Sequence, residues 1–133
     1  MKLSREKLNS PMLAKVAEIS GEDIASCYQC GKCSAGCPLE SAMGVLPHGA
    51  VRLLQLGCEQ EALNFDAVWL CASCHTCESR CPRGFDLSRV MEALRVIRLR
   101  EGHSPVQPQE VAGETLARAP QQAIVSSYRK NIS

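Results

Sequence analysis

Cys27-Tyr28-Gln29-Cys30-Gly31-Lys32-Cys33-Ser34-Ala35-Gly36-Cys37-Pro38 carries four cysteines at C-x2-C-x2-C-x3-C-P spacing. Cys71-Ala72-Ser73-Cys74-His75-Thr76-Cys77-Glu78-Ser79-Arg80-Cys81-Pro82 repeats it 44 residues later (27 to 71), so eight of the nine cysteines fall into two matched runs. A tight loop delivers three thiolates at i, i+3 and i+6 to the corners of one [4Fe–4S] cube; the fourth corner faces away from that loop. In two-cluster proteins built on this run, the fourth cysteine ligates the other cluster. The expected ligands are therefore Cys27, Cys30, Cys33 and Cys81 for a first cluster, and Cys71, Cys74, Cys77 and Cys37 for a second. Pro38 and Pro82 fix the chain direction after the exchanged ligand and remove one N–H donor. Gly31 and Gly36 are read as positive-φ positions that turn backbone N–H groups toward cluster sulfurs.

Other uses of cysteine fit less well. Zinc sites need C-x2-C pairs but neither the third cysteine at x2 nor the terminal C-x3-C-P. Cys71-Ala72-Ser73-Cys74-His75 matches the haem-attachment pattern C-x-x-C-H. That use strands Cys77 and Cys81, and the first run has Gly31 in the place of His75. A disulfide scaffold is disfavoured by the odd count and by the reducing compartment expected for a chain whose start, MKLSREKLNS, lacks the apolar stretch of a signal peptide. The expected location is cytoplasmic. Cys58 lies outside both runs and is read as a small buried hydrophobe, with a ligand role open only if one of the eight is displaced.

The chain has 133 residues, of which 45% are hydrophobic and 4% aromatic, so its core is thin in rings. Fifteen Lys and Arg against fourteen Asp and Glu leave a formal charge of +1 with no basic block, which excludes a phosphate-backbone footprint. No apolar run approaches the roughly 20 residues of a membrane span. Clusters held by thiolates add negative charge, so Lys32, Arg80 and Arg83 are candidates for raising reduction potentials, or are simply solvated. Phe65, Trp69 and Leu70 are expected to shield the second cluster, and Tyr28 and His75 to pack over the clusters. His48 and His103 carry no readable signal.

The periodicity predicts an all-α chain with the cysteine runs in loops between helices. A helix starts at Ser10-Pro11, turns Met12, Leu13, Val16 and Ile19 inward and stops at Gly21. A second starts at Pro47, presents Ala50, Val51, Leu54 and Cys58 on one stripe and ends near residues 56–58. A third is capped by Asp86, buries Leu87, Val90, Met91, Leu94 and Ile97, and ends about Arg100. Residues 1–101 are read as the cluster domain. Residues 102–133 are read as an extended or partly helical tail that docks on a partner or is disordered; Ser104-Pro105, Gln107-Pro108-Gln109 and Pro120-Gln121-Gln122 break its regularity, and 111–118 is a candidate helix. With no G-x-G-x-x-G, P-loop or Ser/His/Asp frame, no catalytic residue is expected. Two clusters without a substrate site define an electron relay.

The chain resembles HdrC, the small two-cluster C subunit of heterodisulfide reductase. The resemblance rests on Ser26 through Pro38, Arg52-Leu53-Leu54-Gln55-Leu56-Gly57, Val68 through Cys74, and Arg80-Cys81-Pro82-Arg83-Gly84, and covers about residues 12–102. The ligand runs are shared with iron–sulfur subunits of succinate and glycerol-3-phosphate dehydrogenases; the Gln-Leu-Gly helix between them favours HdrC. The resemblance implies an α-helical ferredoxin fold with two [4Fe–4S] clusters on the eight cysteines above. It also implies electron transfer between an HdrA-like flavoprotein and an HdrB-like disulfide-reducing partner, the chain being a non-catalytic part of that oxidoreductase. A free ferredoxin acting as a diffusing carrier is the alternative; the near-neutral charge favours membership of a complex.

Overall fold

The computed structural model describes residues 10–103 and 106–130; Ser104 and Pro105 lie outside them. Among the described residues there is no strand. Two compact units form, one up to Arg95 and one from Val96 on, and the division between them falls inside a helix.

Among the described residues, the first helix of the first unit is α1 (Pro11–Ser20). Ser10 caps it by accepting from the Leu13 N–H at 3.1 Å, Pro11 takes the first helical position, and Gly21 ends it in the left-handed region at φ 72°. Val16 is fully buried, while Met12, Leu13 and Ile19 are half-buried. Short helices α2 (Lys32–Ala35) and α6 (Thr76–Arg80) sit within the two cysteine runs and pack on each other. α3 (Pro47–Gln55) follows the first run, and α7 (Leu87–Arg100) follows the second. Between them lie α4 (Glu59–Leu63) and α5 (Asp66–Leu70).

α3 and α7 are counterparts offset by 40 residues (47 to 87), and both end on the same device. Gly57 and Gly102 have positive φ; Cys58 N–H reaches Leu53 O and His103 N–H reaches Arg98 O, at 2.9 and 3.0 Å. This doubles back the last turn and pairs carbonyls that would otherwise be orphaned. Asp86 caps α7, accepting from the Ser88 N–H at 2.8 Å and the Arg89 N–H at 3.4 Å. The predicted stripe of Leu87, Val90, Met91, Leu94 and Ile97 is buried throughout. In the first unit, Leu87, Val90, Met91 and Leu94 join Ala50, Val51 and Leu54 of α3, Leu63 of α4, Val68 of α5, Phe65 and Phe85 in a core that is mostly aliphatic.

The second unit holds α8 (Gly113–Arg118) and α9 (Gln121–Lys130). The tail is thus more helical than its composition indicates. Pro120 does not break the helix: it precedes it, and its carbonyl accepts from Ala123 and Ile124 at 2.9 and 3.3 Å. A proline needs no N–H partner at that entrance.

Candidate metal centres

The two runs make the same loop. Gln29 and Ser73 are left-handed at φ 63° and 51°, as are Gly31 and His75 at 77° and 57°. Each pair is 44 residues apart. α2 and α6 then start alike, with Ser34 N–H on Gly31 O at 3.0 Å and Glu78 N–H on His75 O at 3.1 Å. Cys37 and Cys81 close both turns, donating to Ser34 O and Glu78 O at 3.0 Å each. Left-handed backbone costs a non-glycine residue roughly 1–2 kcal/mol. Side chains of the following helix hold the loops against that strain.

On the first loop, Ser34 Oγ pairs with His48 Nδ1 of α3 at 2.7 Å and accepts the His48 N–H at 3.1 Å. On the second the histidine is on the loop, in the place of Gly31, and the serine is on the helix. His75 Nδ1 lies 3.0 Å from both Ser88 Oγ of α7 and Asp86 Oδ2. His48 and Ser88 occupy corresponding positions, 40 apart. Gln55 and Arg95, another such pair, bond the carbonyls of Cys27 and Cys71.

Two cavities open beneath the loops. The first encloses about 420 Å³, part of it open to solvent, and is lined by Cys27, Cys30, Cys33 and Cys81 together with Tyr28, His48, Val51, Arg83, Phe85 and Leu87. The second encloses about 440 Å³ and is lined by Cys37, Cys71, Cys74 and Cys77 with Leu39, Met43, Pro47, His75 and Met91. Cys33 and Leu87 border both. None of the eight cysteines is in a disulfide. Eight thiols around two apolar-walled hollows are a donor set that suits two iron–sulfur cubes.

The thiols differ by position. Cys30 and Cys74, the second of each run, are exposed. The Lys32 N–H and the Tyr28 hydroxyl hold Cys30 below the usual thiol range, and the Thr76 hydroxyl and N–H do so for Cys74. Burial pushes Cys33 up, and pushes Cys77 up to about 11. Hydrogen bonds that favour the thiolate therefore prevail at the wet corner of each site, while burial outweighs them deeper in.

Several expectations change. Gly36 has φ −108°, an ordinary value, so it is not a positive-φ position. It is small because Arg80 lies against it: a Cβ there would overlap Cδ, Nε and Cζ of Arg80. Phe65, Trp69 and Leu70 do not line the second cavity, and Leu70 is exposed; Leu39, Met43 and Met91 shield it instead. Cys58 is half-buried at the entrance of α4 and lines neither cavity. Of the candidate cations, Arg83 lines the first cavity; Lys32 and Arg80 line neither. The sequence alone does not single out His48, Gln55 and Arg95. Their signal is the 40-residue offset between α3 and α7, visible only once both helices are aligned on their loops.

Residues 23–85 match the 4Fe–4S dicluster domain family. The chain is a helical protein of two [4Fe–4S] clusters. It is 32% identical over 109 residues to the iron–sulfur C subunit of CoB–CoM heterodisulfide reductase from Methanopyrus kandleri, covering 76% of this chain and 57% of the relative. Over 93 residues it is 36% identical to the C subunit of the ferredoxin:CoB–CoM heterodisulfide reductase of Methanosarcina mazei, covering 70% and 57%. The iron–sulfur C subunit numbered 2 from Methanocaldococcus jannaschii is 29% identical over 119 residues, covering 84% and 63%. Within the dicluster proteins, then, this chain is HdrC-like, similar to the C subunits of heterodisulfide reductase; it spans about three-fifths of the length of the curated relatives it matches. Among the described residues, no helix is long and apolar enough to cross a membrane.

Proposed function

We propose that this chain relays single electrons in a cytoplasmic complex of heterodisulfide-reductase type, between an HdrA-like flavoprotein and an HdrB-like partner that reduces a disulfide. Cys27, Cys30, Cys33 and Cys81 hold the first cluster; Cys71, Cys74, Cys77 and Cys37 hold the second. One observation carries the ligand sets: each cavity is lined by the first three cysteines of one run and the last cysteine of the other. When bound, each cluster takes up and gives back one electron.

The chain's own residues do the rest. Val51, Phe85 and Leu87 wall the first site, and Leu39, Met43 and Met91 the second, keeping water from the sulfurs. Cys30 and Cys74 bring one corner of each site to the surface, where a docked partner reaches it. The relatives' names support the setting, each being the C subunit of a CoB–CoM heterodisulfide reductase.

Iron and acid-labile sulfide on anaerobically purified protein test the relay, with EPR of the dithionite-reduced sample. About eight of each, with signals from two reduced clusters, is the expected result; zinc without sulfide overturns it. Tagging the chain in its own organism tests the partners. Flavin absorbance in the purified complex is expected. A chain that elutes by itself with both clusters overturns the reading as part of a complex in favour of a diffusing carrier.

A further inference from the structure

Two side chains clamp the two loops in the same way. Gln55 Nε2 donates to the carbonyl oxygens of Ile24 at 2.9 Å and Cys27 at 2.7 Å. Arg95 donates to the carbonyl oxygens of Val68 at 2.5 Å and of Cys71, and through Nη1 to Ser73 Oγ at 3.4 Å. Ile24 corresponds to Val68 and Cys27 to Cys71, each 44 residues on. A trans peptide carries its C=O and N–H on opposite sides. Both clamps therefore turn the next N–H, that of Tyr28 or Ala72, away from the clamping side chain, and both residues line their cavity.

The clamps differ in charge. Gln55 is neutral, whereas a guanidinium stays protonated at any working pH. The Arg95 side chain is 17% exposed; its partner Glu92, at 3.0 Å, is 56% exposed and screened by solvent. The second loop also has a buried carboxylate beside it, Asp86, at 2% exposure; its own cation, Arg89 at 3.4 Å, is 59% exposed and screened by solvent. The corresponding position in the first half, 40 residues earlier, is the apolar Leu46. A cluster becomes more negative when it takes an electron. In a partly buried setting a carboxylate opposes that step and a guanidinium favours it.

We propose that Arg95 is a positioning residue that also sets the potential of the second cluster, its charge offsetting Asp86, while Gln55 positions the first loop without adding charge. The inference rests on the two-cluster reading above. Arg95→Gln gives the second loop the neutral clamp of the first. The experiment is an EPR-monitored redox titration of the full chain, with iron and sulfide measured on each sample. The second cluster's signal is identified as the one that Cys74→Ser alters.

Arg95→Gln is expected to lower the second cluster's potential and leave the first in place. Arg95→Lys, which keeps the charge but not the fork, is expected to stay near the wild type, and Asp86→Asn to raise the second potential. If Arg95→Gln lowers stability with both potentials unmoved, or if Arg95→Lys shifts as far as Arg95→Gln, the proposal is overturned and the role is structural. If Arg95→Gln loses the second cluster, Gln55→Arg carries the test: a raised first potential supports the proposal, and an unchanged one overturns it. Wild-type protein without iron and sulfide overturns the two-cluster reading itself, a result distinct from all of these.

Discussion

Gly36 and Arg80 hold the same place in the two runs, 44 residues apart, and the Arg80 side chain lies across the α-carbon of Gly36. The packing of α2 on α6 brings the two positions together. One must be small for the other to be large. The Gly36 backbone is one any residue adopts, so Gly36→Ala is opposed by contact alone. Arg80 is exposed and flexible, so it moves aside at the low end of overpacking costs, about 1 kcal/mol. Chemical unfolding of Gly36→Ala, Arg80→Ala and the double variant checks this. The double variant is expected to recover most of the loss, a coupling that independent sites do not show.

The proposed exchange of the fourth ligand predicts crossed damage. Cys37→Ser lies in the first run, yet the EPR signal it alters should be the one that Cys74→Ser also alters. Cys81→Ser should alter the other. Where a cluster fails to assemble, iron should fall from about eight to about four per chain. Damage confined to the mutated run's own cluster would refute the ligand sets.

Asp86 gives a pH prediction with a definite sign. Burial raises its carboxyl, but bonds from the Ser88 hydroxyl and N–H, the Arg89 N–H and His75 outweigh that and hold it below the usual carboxylate range. A depressed folded value means stabilisation that is complete above the unfolded value and lost as pH falls toward the folded one. Asp86→Asn is expected to cost on the order of 1–3 kcal/mol near neutrality, from the charged hydrogen bonds, since asparagine keeps the cap itself. The difference from wild type should be at its full value at pH 5 and shrink as pH falls from the usual carboxylate value, about 4, toward the folded one. Unfolding curves below pH 5 check it, and a penalty that stays constant there would contradict the assignment.

Leu54 of α3 is 1% exposed, while Leu53 beside it is half-buried. Leu54→Ala should cost about 2–5 kcal/mol, with Leu53→Ala well below that. Denaturant midpoints at unchanged slope measure both.

Much of this architecture is legible in local chemistry. Ser10-Pro11, Pro47, Asp86 and Gly21 mark helix ends because capping acts over a few residues. The cysteine runs mark the sites because cluster geometry fixes ligand spacing. The short helices α2, α4, α5 and α6 are not legible: at four or five residues they are too short for periodicity to register. Pro120 misleads because proline interrupts a helix from inside and precedes one from outside with the same composition. Nearness in sequence points to Phe65, Trp69 and Leu70 as the cover of the second cluster, yet the aliphatic wall there comes from residues near 40 and from α7. The purpose of Gly36 lies beyond reach, since it depends on a side chain 44 positions away.

Under the proposed ligand sets the halves exchange a cysteine reciprocally, as the protomers of a two-fold homodimer would across a self-complementary interface. A true homodimer could place only glycine against glycine, or arginine against arginine, where Gly36 meets Arg80. It would also be bound to clamp both loops with one residue type. Joining the copies in a single polypeptide lifts that constraint, and the exceptions at 36 and 80 and at 55 and 95 are written where the halves meet or grip their sites. Identical protomers make a conductor whose two ends are equivalent; covalent linkage lets this one have a front and a back.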